Sequence, residues 1–379
     1  MNTKKIALIG PVYPFKGGIS HYNSLLYRAL AKKHNVKMIS FKLQYPFFLY
    51  PSESQKSFSS NHFEIDNTDY AINSVNPLSW VLASMNIIKY APDLIIFHWW
   101  NPYFGPCFTF IALLLKLFSR SRIMFICHNV LPHEKMPFSN IISKLTLSTG
   151  NCYVVQSEED AKKLLRIIPG ANYIKAFHPT YNIFNFEDIP QHKAREILNI
   201  KNKKVILFFG FIRKYKGLIY LIRALPKVVE YYPDILLLIV GDFYDAKEKY
   251  LTEIKKLVLN NYIDIYDGYI PDREVGIYFT ASDLVVLPYI SATQSGIVQI
   301  AYGFEKPVIV TDVGGLPEVV EDGKTGYLVK PADSSQIADL IIKFFMKDSA
   351  QEFSSNIKER QSQYAWERLT QNIEKLGGL

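Results

Sequence analysis

The chain has 379 residues, 49% of them hydrophobic and 21% charged, with 43 Lys and Arg against 35 Asp and Glu. That length suits two domains, and the composition excludes a disordered chain, a collagen-like repeat and an integral membrane protein, because no apolar run is long enough to cross a bilayer. The cysteines, Cys107, Cys127 and Cys152, are odd in number and widely spaced, which argues against a disulfide framework or a zinc site and for a reducing, cytoplasmic setting.

In chain order, residues 6–9 read as a first strand rather than a signal peptide, since the apolar stretch is short and ends at Gly10-Pro11. Similar runs, each bounded by turn residues, recur at 94–97, 123–127, 153–155, 205–209, 235–240, 284–287 and 308–310. This is the pattern of buried parallel strands. Helical spacing fills 22–33, 156–168, 218–231, 250–260 and 334–347. The alternation predicts an α/β protein built from two doubly wound parallel-sheet units. Their boundary is expected in 178–191, where prolines, asparagines and aromatics interrupt both periodicities. A cleft is expected between the halves, with ligands beyond the carboxyl ends of the strands.

Charge is uneven. Residues 1–180 carry 19 Lys and Arg against 9 Asp and Glu, a balance of +10, whereas residues 181–379 carry 24 against 26, a balance of −2. The cations of the first half are scattered and no nucleic-acid-binding signature appears, so the expected partner is an anionic membrane surface or a phosphorylated ligand, not nucleic acid. The segment 108–118 (FTFIALLLKLF), followed by Arg120 and Arg122, reads as a buried helix in preference to one that dips into such a surface.

Several loops after the strands carry candidate chemistry. The first ends in Gly17-Gly18 before a helix, an arrangement that suits either a tight turn or close approach of an anion to backbone N–H groups. The third run ends in Cys127-His128-Asn129, with His133-Glu134 close behind, which places a proton carrier and a carboxylate at a strand terminus. His178 reads as structural. In the second half, Gly210 is followed by Arg213, Lys214, Lys216 and Gly217, a cationic loop suited to a diphosphate. Thr293, Gln294, Ser295, Gly296 and Ile297 begin a helix, where hydroxyls and amides serve equally as an anion cradle or an ordinary cap. Glu318 is either a ligand contact or a helix-start carboxylate.

Taken together, Gly17-Gly18, His128 at a strand end, the 210–217 loop, the Leu287-Pro288 strand end and 307–318 (PVIVTDVGGLPE) resemble glycosyltransferase family 4, in order and over nearly the whole chain. The resemblance implies the GT-B fold: two Rossmann-like doubly wound parallel-sheet domains facing a central cleft. It places an acceptor-binding domain at 1–183, a donor-binding domain at 184–355, and a C-terminal helix at 356–379 that returns to the first domain. By the same resemblance Gly17 and Gly18 approach the donor diphosphate, His128 lies beside the transferred sugar and Lys216 binds phosphate. Arg213 joins them as a catalytic candidate, because Phe211 occupies the place where the family normally has its arginine.

The family often carries two glutamates before its Pro-Val strand, and here those positions are Ala292 and Ile300. Gln294 and Gln299 are the polar side chains nearby that take their place as donor contacts, with Gly210, Ser295, Gly296, Ile297 and Glu318. His21, Asn129, His133 and Glu134 are the acceptor-side candidates. The implied activity is transfer of a sugar from a nucleotide diphosphate donor to a hydroxyl of a glycan or lipid-linked saccharide, with retention, in cell-surface polysaccharide or glycolipid biosynthesis. No metal is expected, in agreement with the missing D-x-D triplet, and no cofactor. The expected site of action is the cytoplasm, including the inner membrane face. The alternatives are a non-catalytic nucleotide-sugar-binding subunit and a GT-B nucleotide-sugar epimerase.

Overall fold

The computed structural model describes residues 3–47, 55–57, 62–132, 137–201 and 204–379. His133 and Glu134 lie outside the described residues. The chain divides into two compact units, Met1–Phe177 with Ala365–Leu379, and His178–Tyr364.

In the first unit the strands are β1 (Lys5–Ile9), β2 (Asn35–Leu43), β3 (Asp69–Asn73), β4 (Leu94–Trp99), β5 (Arg122–Cys127), β6 (Cys152–Val155) and β7 (Tyr173–Lys175). Its helices are α1 (Gly18–Ala31), α2 (Pro77–Tyr90), α3 (Gly105–Phe118), α4 (Ser139–Leu147) and α5 (Glu158–Ile167). The strand order is β3-β2-β1-β4-β5-β6-β7, and all pairs are parallel. β4 is buried along its whole length, as a continuous aliphatic run with a layer of helices on each face must be. From β1 the chain winds outward in both directions, so right-handed crossovers put α1 on one face and α2 to α5 on the other. Contacts agree: α2 packs on α3, α3 on α4 and α4 on α5, while α1 packs on the C-terminal helix Trp366–Gly377. The order reverses between β1 and β4, the crevice where open α/β sheets bind ligands.

The second unit holds α6 (Gln191–Ile197), β8 (Lys204–Phe209), α7 (Leu218–Tyr231), β9 (Ile235–Gly241), α8 (Lys247–Lys256), β10 (Ile263–Asp267), α9 (Asp272–Ala281), β11 (Leu284–Leu287), α10 (Gly296–Gly303), β12 (Val308–Thr311), α11 (Leu316–Val319), β13 (Gly326–Val329), α12 (Ser334–Met346) and α13 (Ala350–Arg360). The last helix, Trp366–Gly377, is α14 and belongs to the first unit. Strand order here is β10-β9-β8-β11-β12-β13, again parallel throughout, with its reversal between β8 and β11. Both units are therefore the doubly wound sheets that the alternation predicts. The strands outside those runs, β2, β3, β7, β10 and β13, flank or form the sheet edges. The three cysteines are unpaired buried thiols.

Segment 108–118 is a helix with two different faces. Phe108, Ile111 and Leu115 are buried, whereas Phe110, Leu113, Leu117 and Phe118 are exposed.

Candidate functional site

In the second unit three loops at the carboxyl edge of the sheet are locked together by glycines. Gly217 has a φ of 67°, and a Cβ there would lie 1.9 Å from the Pro288 carbonyl oxygen. That approach lets the Ile290 N–H donate to the Tyr215 oxygen at 2.7 Å, joining the loop after β8 to the loop after β11. Gly314, with a φ of 56°, repeats the device: a Cβ would sit 1.6 Å from the Ala292 oxygen, and the Gly315 N–H donates to Thr293 at 3.0 Å. No residue with a Cβ fits either position without moving backbone.

Lys216 is placed by this lock. Its ammonium lies 3.8 Å from the centroid of the Tyr289 ring and 5.5 Å from that of Tyr215. Among the described residues it has no hydrogen-bond or carboxylate partner. Burial lowers its pKa, opposed by Tyr215, and the neighbouring Arg213 charge lowers it further. A half-buried cation without a counter-ion favours an incoming anion, which relieves both effects. The same ring ties Lys216 to the next element, because the Tyr289 hydroxyl and Ser295 Oγ are 3.3 Å apart. Ser295 occupies the N-cap position of α10, yet its side chain makes no capping bond. The first-turn N–H groups of α10 therefore receive no help from Ser295, and the ordinary-cap reading does not apply to this residue.

Gly210, with a φ of 107°, abuts Ile297, whose Cδ1 would be 3.4 Å from a Cβ. The structure thus brings Gly210, Lys216, Ser295, Gly296 and Ile297 into one neighbourhood. Arg213 takes a different support: its guanidinium rests 4.7 Å from the Tyr244 ring, which also meets the Phe211 ring edge-on at 4.9 Å. Gln294 is half-buried, and Glu318 is half-buried in the short α11. Gln299 is fully enclosed, and neither polar atom of its amide has a hydrogen-bond partner among the described residues. Such a group costs about 1–3 kcal/mol unless something satisfies it. Ala292 and Ile300 are buried.

In the first unit Gly17 has a φ of 112° and precedes α1 as its N-cap residue, without a side-chain cap. A Cβ on Gly17 or Gly18 would meet nothing within 4 Å, so this loop is open where the second-unit loops are locked. His128 follows β5 and is held by its own N–H donating to Trp99 at 2.8 Å. Two residues on, Val130 is fixed from both sides, donating to Asp160 Oδ1 at 3.1 Å and accepting from the Trp99 indole at 3.2 Å. Burial pushes the Asp160 carboxyl up to about 6 in spite of that hydrogen bond. Asn129 is half-buried, and His21 packs against the Phe63 ring at 4.4 Å.

Behind His128 lies a second, buried imidazole. His128 Nε2 is 3.1 Å from Nδ1 of His98, a fully buried residue of β4. Tyr22 meets the His128 ring edge-on at 4.7 Å and accepts a hydrogen bond from Gln156 at 3.1 Å. Burial depresses the His98 pKa to about 3 and raises that of Tyr22, so these two groups are neutral at physiological pH. Among the described residues His98 Nε2 has no hydrogen-bond partner. The signal was available: His98 is the lone polar side chain in an otherwise apolar strand, at its carboxyl end. The missed counterpart in the second unit is Tyr289, the platform under Lys216. Among the described residues no group of three or more His, Cys, Asp or Glu side chains could hold a metal ion.

Comparison with known proteins bears on both units. Residues 190–363 match the family described as Glycosyl transferases group 1. Spore coat protein SA of Bacillus subtilis is 24% identical over 212 residues, which is 53% of this chain and 55% of that protein. Lipopolysaccharide 1,2-N-acetylglucosaminetransferase of Salmonella typhimurium is 25% identical over 286 residues, 69% of this chain and 74% of its own length. The matched region thus spans little more than half of the first relative and about three quarters of the second. Among solved structures, Anabaena HepE in complex with UDP superposes with a TM-score of 0.76 at 19% identity, covering 99% of this chain and 100% of that one. The likeness shows the fold: the Rossmann-like parallel-sheet domains of the GT-B class.

Proposed function

We propose that this chain, whose residues 190–363 carry a glycosyl transferases group 1 domain, is a nucleotide-sugar-dependent hexosyltransferase of the family 4 type. It moves a sugar to a hydroxyl of a glycan or lipid-linked saccharide in cell-surface polysaccharide or glycolipid biosynthesis, working from the cytoplasmic side as a peripheral protein. The observation that carries this reading is the Lys216 ammonium, half-buried on Tyr289 and without an anionic partner among the described residues. It sits at the order reversal of the sheet, beside a helix start that Ser295 leaves uncapped. A diphosphate supplies the missing charge. UDP and UDP-glucose are bound by the structural neighbour HepE, which makes UDP-sugars the first donors to try.

In the reaction the bond from the anomeric carbon to the diphosphate oxygen breaks, and its electron pair stays on that oxygen. Lys216, Arg213 and the first amides of α10 hold the charge that develops there. The acceptor oxygen forms the new bond on the same face and gives its proton to the departing phosphate, so configuration is retained without a side-chain nucleophile. Gly17, Gly18, Gly210, Gln294, Gln299, Ile297 and Glu318 are assigned to the donor. The first unit, with His21 and Asn129, is assigned to the acceptor, and His128 to the transferred sugar. No metal or cofactor takes part.

A second reading, a nucleotide-sugar-binding subunit without turnover, is favoured by one observation. Apolar buried Ala292 and Ile300 stand where glutamates are usual in family 4. One assay separates the two. The full chain is incubated with UDP-sugars in the presence and absence of saccharide acceptors, and free nucleoside diphosphate is measured. Acceptor-dependent release supports transfer, whereas donor binding with no release from any donor overturns it.

A further inference from the structure

Three neighbouring helices of the first unit carry apolar side chains into solvent. α2, α3 and α4 lie side by side on one face of the seven-stranded sheet. Their inner sides are buried, as an α/β layer requires, but their outer sides are not polar. Leu82 and Met85 on α2, Leu113 and Leu117 on α3, and Ile141 and Leu145 on α4 are between 54% and 72% exposed. Eleven of the twenty large hydrophobic side chains exposed among the described residues fall within residues 75–145. Single exposed leucines are ordinary, but a patch shared by three adjacent helices marks an interaction surface.

The charges on the three helices themselves have one sign, and the nearby Asp69 and Asp93 at the strand starts are paired with Lys37 and Lys4. None of the three helices contains an Asp or Glu. Each has a lysine in its last turn: Lys89, Lys116 and Lys144. All three helices run against the direction of the parallel strands, so their last turns share one rim of the layer, and Arg120 follows α3 at that rim. The patch ends at α5, whose first turn is Glu158, Glu159 and Asp160. A second copy of the chain fits poorly, because a two-fold contact between identical acid-free faces brings cations against cations. A surface that is apolar within and anionic at its border fits well, and no helix among the described residues is long and apolar enough to cross a membrane.

We propose that the α2–α3–α4 face docks on an anionic bilayer. The exposed leucines and Met85 enter the boundary between headgroups and acyl chains, and the rim cations pair with lipid phosphates. The inference builds on the peripheral placement proposed above, names the surface responsible, and is independent of the chemistry assigned to the second unit.

The test is flotation of the full chain with phosphatidylcholine vesicles, with and without phosphatidylglycerol, at low and high salt. The pairs Leu113→Glu with Leu117→Glu and Lys116→Glu with Arg120→Glu are carried alongside the wild type. Melting temperature and the thermal shift produced by UDP-glucose are recorded for each protein. The expected result is binding to phosphatidylglycerol vesicles that weakens with salt and falls at least about tenfold in each double variant, while each variant keeps the wild-type melting temperature and donor response. Failure to float, or equal flotation of wild type and both variants, overturns the inference. So does a dimer in gel filtration that the leucine variant dissolves without any vesicle binding, which assigns the face to a second copy. A missing UDP-glucose shift in the wild type counts against the donor reading alone.

Discussion

The two units share a topology and differ in what they place at the reversal of strand order. In the first, the crevice between β1 and β4 is backed by His98, His128, Tyr22 and Gln156, joined by hydrogen bonds and ring contacts. In the second, the crevice between β8 and β11 holds an ammonium on an aromatic ring with no counter-charge among the described residues. Net charge points the opposite way, since the first half of the sequence carries +10 and the second −2. If Lys216 receives the donor diphosphate as proposed, the anion site is set by one desolvated cation and its supports, not by the average charge of the domain around it. The surplus cations of the first half include the rim of an apolar helix layer.

The largest effect should come from the loops. Gly314→Ala puts a Cβ 1.6 Å from a backbone oxygen at a positive φ, which should cost the second unit about 3 kcal/mol or more. Gly17→Ala meets nothing within 4 Å and should cost the first unit only the backbone strain, about 1–2 kcal/mol. Hydrogen exchange read separately in each unit checks this, and equal losses would erase the contrast between locked and open loops.

A smaller effect concerns His98. The His98 pKa of about 3 in the folded chain lies below its ordinary 6.5, so below pH 6.5 the unfolded chain takes up a proton that the folded chain refuses. Stability falls as pH drops from 6.5 towards 3 and is unaffected by this group at higher pH. Between pH 7 and pH 5 the wild type should lose about 2 kcal/mol more than His98→Phe in denaturant unfolding. Parallel curves would mean that His98 is solvated or charged in the folded state.

How much of this was legible in the sequence follows from burial. β4, β5, β8 and β9 are covered on both faces, and their aliphatic runs name them. β2, β3 and β10 are partly exposed and carry Lys37, Asp69 and Asp264, which breaks the run that sequence reading relies on. Lys216 and Ser295 were legible as chemistry at strand ends, but Tyr289 was not, since a ring under an ammonium is a tertiary contact. His98 was absorbed into its apolar strand. Segment 108–118 is apolar apart from Thr109 and Lys116, so periodicity could not tell its buried side from the side that faces solvent.

The central claim is that Lys216 receives the donor diphosphate, and calorimetric titration of UDP-glucose against pH tests it most directly. The diphosphate of a nucleotide sugar does not titrate near neutrality, whereas Lys216 has a lowered pKa and must be charged to bind. Wild-type affinity should therefore fall as pH rises, beginning below the ordinary lysine range. Lys216→Ala should bind about tenfold or more weakly at neutral pH, the loss of a charge-assisted contact, with a flat pH profile. Equal affinity and the same pH dependence in both proteins would contradict the account.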